Sequence, residues 1–204
     1  MLIVCLDLEG VLIPEVWVEF ARRSGIDSLT RTTRDEPDYD KLMRFRLQTL
    51  SEHGMKIGDI QRVIRDMSPL PGAKAFLDDL RASYQVVILS DTFYEFAWPL
   101  MEQLALPTLF CHSLEIAADG SVSGYRLRMP DQKRAAVEAF KALAFDVVAA
   151  GDSYNDTAML GAADAGFLIH PPASIAAQFP QFPVMKDYAE LRAAIGGAAA
   201  RLAV

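Results

Sequence analysis

Apolar residues fall into two patterns along this chain. Continuous runs occur at Leu2–Leu6 (LIVCL), 85–89 (QVVIL) and 146–150 (DVVAA), with a weaker one at Ala165–Ile169. Unbroken apolarity over so few residues predicts strands buried on both faces, as in a parallel sheet. Helical spacing lies between the runs, at roughly 72–82, 94–104, 132–143 and 155–163. Strands alternating with helices predict an α/β, doubly wound parallel sheet.

The alternation breaks after the first strand. Residues 16–24, 41–52 and 57–67 have helical spacing, around a polar stretch at 30–40 rich in Thr, Arg and Asp. A parallel crossover needs only one helix. The surplus predicts a helical cap subdomain over 15–68, inserted into a core formed by 1–14 and 69–204. Residues 114–127 alternate about an Asp119–Gly120 turn signal and read as a hairpin. The Ala-rich tail reads as a last helix. Phe93, Phe96 and Trp98 read as helix packing, and Phe179 and Phe182 as part of a loop before that last helix.

Composition narrows the functional classes. A chain of 204 residues fits one domain with room for an insertion. Apolar residues at 51% and charged residues at 23% exclude a disordered or coiled-coil protein. Twenty Lys+Arg against 27 Asp+Glu leave a net charge of −7, which disfavours nucleic acid and an anionic membrane surface. No apolar run approaches the roughly 18 residues of a membrane span. Asp7 and Glu9 interrupt the N-terminal run, so a signal peptide is not expected. Two cysteines, Cys5 and Cys111, are too few for a disulfide framework and read as buried thiols. A reducing, cytoplasmic setting is the expectation.

Ligands of an open α/β sheet bind outside the carboxyl ends of its strands. Those ends carry Asp7, Leu8, Glu9 and Gly10, then Ser90, Asp91 and Thr92, then Gly151, Asp152 and Ser153, with Asn155 and Asp156 close behind. Any one set could be a helix cap, since caps select the same residue types. Together they predict that Asp7, Glu9, Asp152 and Asp156 converge. Two carboxylates about 4 Å apart repel by about 4 kcal/mol at an effective dielectric near 20. Such a cluster calls for a cation, and oxygen ligands without His or Cys select Mg²⁺ or Ca²⁺, with Mg²⁺ preferred where few carboxylates leave room for phosphate. The scattered His53, His112 and His170 form no metal-site spacing and read as structural. Backbone amides at 8–10 read as an oxyanion nest. Ser90 reads as a hydrogen-bond donor to a phosphoryl oxygen, and Lys133 as its counter-charge. Taken alone, Lys133 would read as a solvated surface lysine rather than as part of a site.

These residues match a known pattern. DLEGV at 7–11, LSDT at 89–92, Lys133 and GDSYND at 151–156 resemble the four ordered motifs of the haloacid dehalogenase superfamily of phosphohydrolases. Within it the chain resembles the phosphoserine phosphatase branch, and most closely the bacterial bifunctional phosphoserine phosphatase/homoserine phosphotransferases, which share DLEG and ILSDTFYEF. The resemblance implies an aspartyl-phosphate on Asp7, general acid–base work at position 9, and Mg²⁺ held by Asp7, Asp152 and position 9, with Asp156 supporting the shell. It implies Ser90, Asp91, Lys133 and Asn155 around the phosphoryl group, Arg46 and Glu15 of the cap on the amino-acid part, and a homodimer. Homoserine is implied as an acceptor. The superfamily pattern has Asp where this chain has Glu9, and the extra methylene is expected to slow hydrolysis and favour transfer. A sugar or nucleotide phosphate substrate and a non-catalytic phosphoacceptor are the competing readings.

Overall fold

The computed structural model describes residues 1–32, 35, 36 and 38–203. Residues 33, 34 and 37 of the polar stretch lie outside the described residues.

The sheet has seven strands in the order β4-β3-β2-β1-β5-β6-β7. They are β1 (Leu2–Leu6), β2 (Gln85–Phe93), β3 (Thr108–Ile116), β4 (Val122–Arg126), β5 (Asp146–Gly151), β6 (Ala165–Ile169) and β7 (Val184–Met185). All pairs are parallel except β3 with β4. The unbroken apolar run of β1 has the predicted cause. Val4 and Leu6 enter one hydrophobic core, and Ile3 and Cys5 enter the other, on the opposite face. Burial pushes the Cys5 thiol up to about 12, so it acts as a small apolar group. Cys111 is buried too.

Helices α4 (Ala73–Ser83), α5 (Tyr94–Gln103), α6 (Gln132–Ala142), α7 (Thr157–Ala162), α8 (Ala173–Gln178) and α9 (Tyr188–Leu202) flank the sheet. Between β1 and α4 lie α1 (Val16–Ser24), a 3₁₀ turn at Asp27–Thr30, α2 (Tyr39–Glu52) and α3 (Ile57–Arg65). Trp17 and Phe20 of α1 are buried, and Trp17 meets Phe96 of α5 edge to face, with ring centroids 4.8 Å apart. The two ends of this helical insertion are joined to each other: Leu70 N donates to Leu12 O at 2.9 Å.

The β3–β4 hairpin touches the insertion at two places. Tyr125 Oη donates to Asp40 at 2.7 Å, and Ile57 N donates to Gly120 O at 2.9 Å. The hairpin starts earlier than its alternation suggests, because the first half of β3 is spent pairing with β2. Trp98 departs from its expectation. It is about half exposed on α5, whereas Phe93 and Phe96 are buried. No helix of the described residues is long and apolar enough to cross a membrane.

Candidate active site

The chain leaves β1 for β2 on one side and returns through β5 on the other, so the sheet's direction of winding reverses beside β1. This is where open α/β sheets form their ligand crevice. Leu6 lies in register with both Ile88 and Ala150. Asp7, Asp91 and Asp152 therefore emerge at the same rim.

Asp7 lies one residue beyond β1, anchored by its amide on Ala150 O at 2.9 Å. Its Oδ1 accepts from Leu8 N at 2.7 Å. The chain then turns tightly, with Leu12 N and Ile13 N both donating to Leu8 O. Gly10 sits in this turn at φ +76°, where a side chain would be strained. A Cβ there would also lie 2.5 Å from Asp152 Oδ2. The glycine thus lets the β1 turn and the β5 turn close on each other. The Gly10 amide is committed to Ile13 O at 2.8 Å and the Leu8 amide to Asp7 Oδ1, so two of the three amides expected to form an anion nest are already engaged.

Oxygens of Asp7, Asp152 and Asp156 lie within 4.8 Å of one another. Lys133 enters from the first turn of α6 and is buried rather than solvated. Its Nζ lies 2.9 Å from Asp7 Oδ1 and 2.8 Å from Asp156 Oδ1. Burial works against the Lys133 charge, but Asp156 and Asp7 outweigh it and hold the ammonium well above its usual range. Asp156 is fully enclosed; its Oδ2 accepts from Asp152 N at 2.9 Å and Ser153 N at 3.0 Å. With one oxygen on Lys133 and the other on two amides, it braces the β5 turn. Burial, then the Asp156 charge, raises the Asp7 carboxyl against the pull of Lys133. The same two causes bring Asp152 up to about 7. A cation at this cluster would restore both carboxylates.

Glu9 does not join the cluster. Its Oε2 accepts from Val16 N at 2.9 Å, so the carboxylate faces the first amide of α1. Thr92 bonds to it and Glu15 pairs with it. Burial and the Glu15 charge raise Glu9 to about 7, against the Val16 and Thr92 bonds. The expectation of four convergent carboxylates becomes three, with the Glu9 side chain turned toward the insertion.

Arg46 reaches this region from α2. It is buried, not exposed, with its guanidinium 4.6 Å above the Trp17 ring and Nη2 donating to Arg31 O at 2.8 Å. Burial lowers it to about 10, opposed by Tyr39, Glu9 and Glu15. Its Nε is a buried side-chain donor without a partner. Glu15 is exposed at the N-cap of α1.

Ser90 and Asp91 close the remaining wall. Ser90 is buried, and its Oγ accepts from Thr92 N at 3.3 Å. Asp91 Oδ2 accepts from Asn155 Nδ2 at 2.9 Å and lies 3.8 Å from Lys133 Nζ. Two residues without a sequence-derived role stand behind it. Gln132 Nε2 donates to Asp91 Oδ1 at 3.1 Å and also to Ser90 O. His112 Nε2 lies 3.7 Å from the same Oδ1. His112 sits on β3 in register with Phe93, and the strand-end rule would have reached it had β3 been read from Thr108. Gln132 had no such signal beyond standing next to Lys133.

A family model described as haloacid dehalogenase-like hydrolase matches residues 1–164. The chain is 59% identical over 192 residues to phosphoserine phosphatase ThrH of Pseudomonas aeruginosa, covering 94% of each. It is 57% identical over 190 residues to a phosphoserine phosphatase of Pseudomonas syringae pv. tomato, covering 93% of this chain and 80% of that protein. Among solved structures, a phosphoserine phosphatase from T. onnurineus superposes with a TM-score of 0.69 at 26% identity, over 93% of this chain and 91% of that one. A phospho-aspartyl intermediate analogue of phosphoserine phosphatase shares the fold, with a TM-score of 0.72 at 22% identity, over 90% of this chain and 93% of that one. The rim built on Asp7, Lys133 and Asp152 is thus set in a chain that belongs to the haloacid dehalogenase-like hydrolases.

Proposed function

We propose that this enzyme hydrolyses O-phosphoserine through a phosphoenzyme on Asp7, and that it also passes the phosphoryl group to homoserine. The reaction class is supported above all by one observation: Lys133 Nζ bridges Asp7 and Asp156 at 2.9 and 2.8 Å in a buried crevice. The substrate class is supported by Arg46, whose unpartnered Nε suits a carboxylate, and by the two relatives named phosphoserine phosphatase.

In this reading Asp7 attacks phosphorus and the ester bond to serine breaks. Lys133, Ser90 and Asn155 bind the phosphoryl oxygens, with Asp91 on the same wall. Glu9 gives its proton to the leaving alkoxide, then takes one from the attacking water or alcohol as the acyl phosphate bond breaks. Raised to about 7, it suits both transfers. Arg46 and Glu15 hold the carboxylate and ammonium of the amino acid. The core 1–14 and 69–204 thus carries the chemistry, and 15–68 selects the substrate.

The donor set fits Mg²⁺, being all carboxylate oxygen. Asp7 and Asp152 would hold it directly, while Asp156 is engaged by Lys133 and two amides. When bound, the ion supplies positive charge to the phosphoryl oxygens. Homoserine transfer is supported by Glu9: its bond to the Val16 amide and its pairing with Glu15 slow activation of either nucleophile and prolong the phosphoenzyme, so that an alcohol held in the vacated serine site competes with water.

Phosphorus NMR with O-phosphoserine and Mg²⁺, with and without homoserine, tests both parts. Free phosphate in each case and a new phosphomonoester only with homoserine is the expected result. Free phosphate alone would retire the transfer. In parallel, Arg46→Ala is expected to raise KM for phosphoserine at least tenfold, roughly the worth of one charge-assisted pair. It should leave turnover of 4-nitrophenyl phosphate, which has no carboxylate, nearly unchanged.

A further inference from the structure

We propose that the Asp91 side chain is a resident anion that competes with the phosphoryl group for Asn155 and Lys133 and so keeps the enzyme's affinity for its product phosphate low. This deepens the phosphatase reading above and rests on it. The carboxylate is held from behind and presented in front. Behind, Oδ1 takes Gln132 Nε2 at 3.1 Å and faces His112 Nε2 at 3.7 Å. Both holders are themselves fixed. Arg128 N donates to His112 Nδ1 at 3.0 Å, which leaves the proton of the neutral ring on Nε2, facing Asp91. The Arg128 guanidinium donates to Gln132 Oε1 at 3.2 and 3.0 Å. Gln132 and His112 are buried, and neither has a step in the reaction.

In front, Oδ2 occupies the Asn155 amide at 2.9 Å and shares Lys133 at 3.8 Å. These are the donors assigned above to the phosphoryl oxygens. Lys133 is already divided among Asp7, Asp156 and Asp91. An arriving phosphate dianion must take Asn155 from Asp91 and bring further negative charge beside it. The cost is returned when phosphate leaves and Oδ2 closes on Asn155 again. The tether at Oδ1 keeps the carboxylate poised to do so. Against burial, which raises it, Lys133, Asn155, Gln132 and His112 keep this carboxyl below the ordinary range, so it stays an anion while it competes.

Titration of inorganic phosphate into the Mg²⁺-loaded protein, followed by calorimetry, tests this in the wild type, Asp91→Asn and Asp91→Ala. Both variants are expected to bind phosphate about tenfold tighter, a moderate gain because Asp91 is 39% exposed and water screens it. Phosphate inhibition of turnover should strengthen in parallel. Unchanged or weaker binding in both would overturn the proposal and make Asp91 an organiser of Asn155. Tighter binding in Asn but not Ala would also overturn it, because the gain would then come from an added donor. Asp91→Ser takes the place of Ala if melting curves show that Ala misfolds. A wild type that binds phosphate but leaves phosphoserine intact would remove the substrate reading alone, and the comparison of variants would still decide the competition.

Discussion

Glu9 and Lys133 place opposite demands on their surroundings. On the proposed mechanism Glu9 exchanges a proton, and burial and the Glu15 charge, set against the Val16 and Thr92 bonds, bring it up to about 7, where that exchange is easy. Glu9→Asp shortens the side chain by one methylene and draws the carboxyl away from the Val16 amide toward Asp7. The expected outcome is a higher ratio of free phosphate to phosphohomoserine; an equal ratio would detach Glu9 from the choice between water and alcohol. Lys133 must never lose its proton. Lys133→Met keeps the length and leaves two buried carboxylates facing each other. Breaking such a buried pair costs about 3–5 kcal/mol, and turnover should fall at least a hundredfold. A variant that melts like the wild type would show that Asp7 and Asp156 do not depend on the ammonium. Asp7, Asp152 and Lys133 were legible in the sequence because strand ends and motif order point to them. His112 and Gln132 were not, because their role exists only through proximity to Asp91 across 21 and 41 positions of chain.

Elements set how closely such residues approach. The β1 and β5 turns meet at Gly10, with no room for a methyl group on the side of Asp152. Gly10→Ala would force both a positive φ on alanine and a displaced Asp152. Such a strained backbone position costs of the order of 1–3 kcal/mol. The larger expected effect is on Mg²⁺ affinity, weakened at least tenfold in a calorimetric titration, since a displaced carboxylate loses its geometry. Unaltered affinity would mean that the Asp152 carboxylate swings aside without loss. The main strands were readable because burial on both faces leaves an unbroken apolar run. The short α8 and β7 were not, because six and two residues carry too little pattern at the edge of a sheet. The helix expected at 155–163 opens instead with a 3₁₀ turn at Tyr154–Asp156, where Ser153 and Asp156 cap each other.

At the scale of the whole molecule, the crevice trades stability for charge. Glu9 and Asp152 are raised to about 7 from ordinary values of 4.5 and 3.8. Between those limits the folded protein holds protons that the unfolded chain has released. Stability without metal should therefore fall as pH rises from about 4 to 7, and level off above. Mg²⁺ binds the charged form at Asp152, so it should raise the melting temperature most near neutral pH and flatten the slope. Thermal melts across this range, with Mg²⁺ or with chelator, would show it; a melting temperature indifferent to metal at pH 7.5 would count against a metal at these carboxylates. The switch in winding beside β1 explains why acids from three distant segments share one rim, and this much followed from the order of strands and helices alone. What the insertion contributes was harder to read. By spacing alone Arg46 looks like any helix-surface arginine; the resemblance singled it out, and its burial is seen only with α2 folded over Trp17.

The insertion leaves and rejoins the sheet through a gap bridged by the hydrogen bond from Leu70 N to Leu12 O. Such a narrow stem makes the 57 positions between Leu12 and Leu70 a matter of what is mounted rather than of how the sheet closes. Different helical inserts can be mounted on it in the course of descent without disturbing the strands beneath. On the proposed division of labour, an exchange of inserts between related chains would carry one enzyme's taste in substrates onto another's chemistry, provided that the newcomer brings an aromatic to meet Phe96.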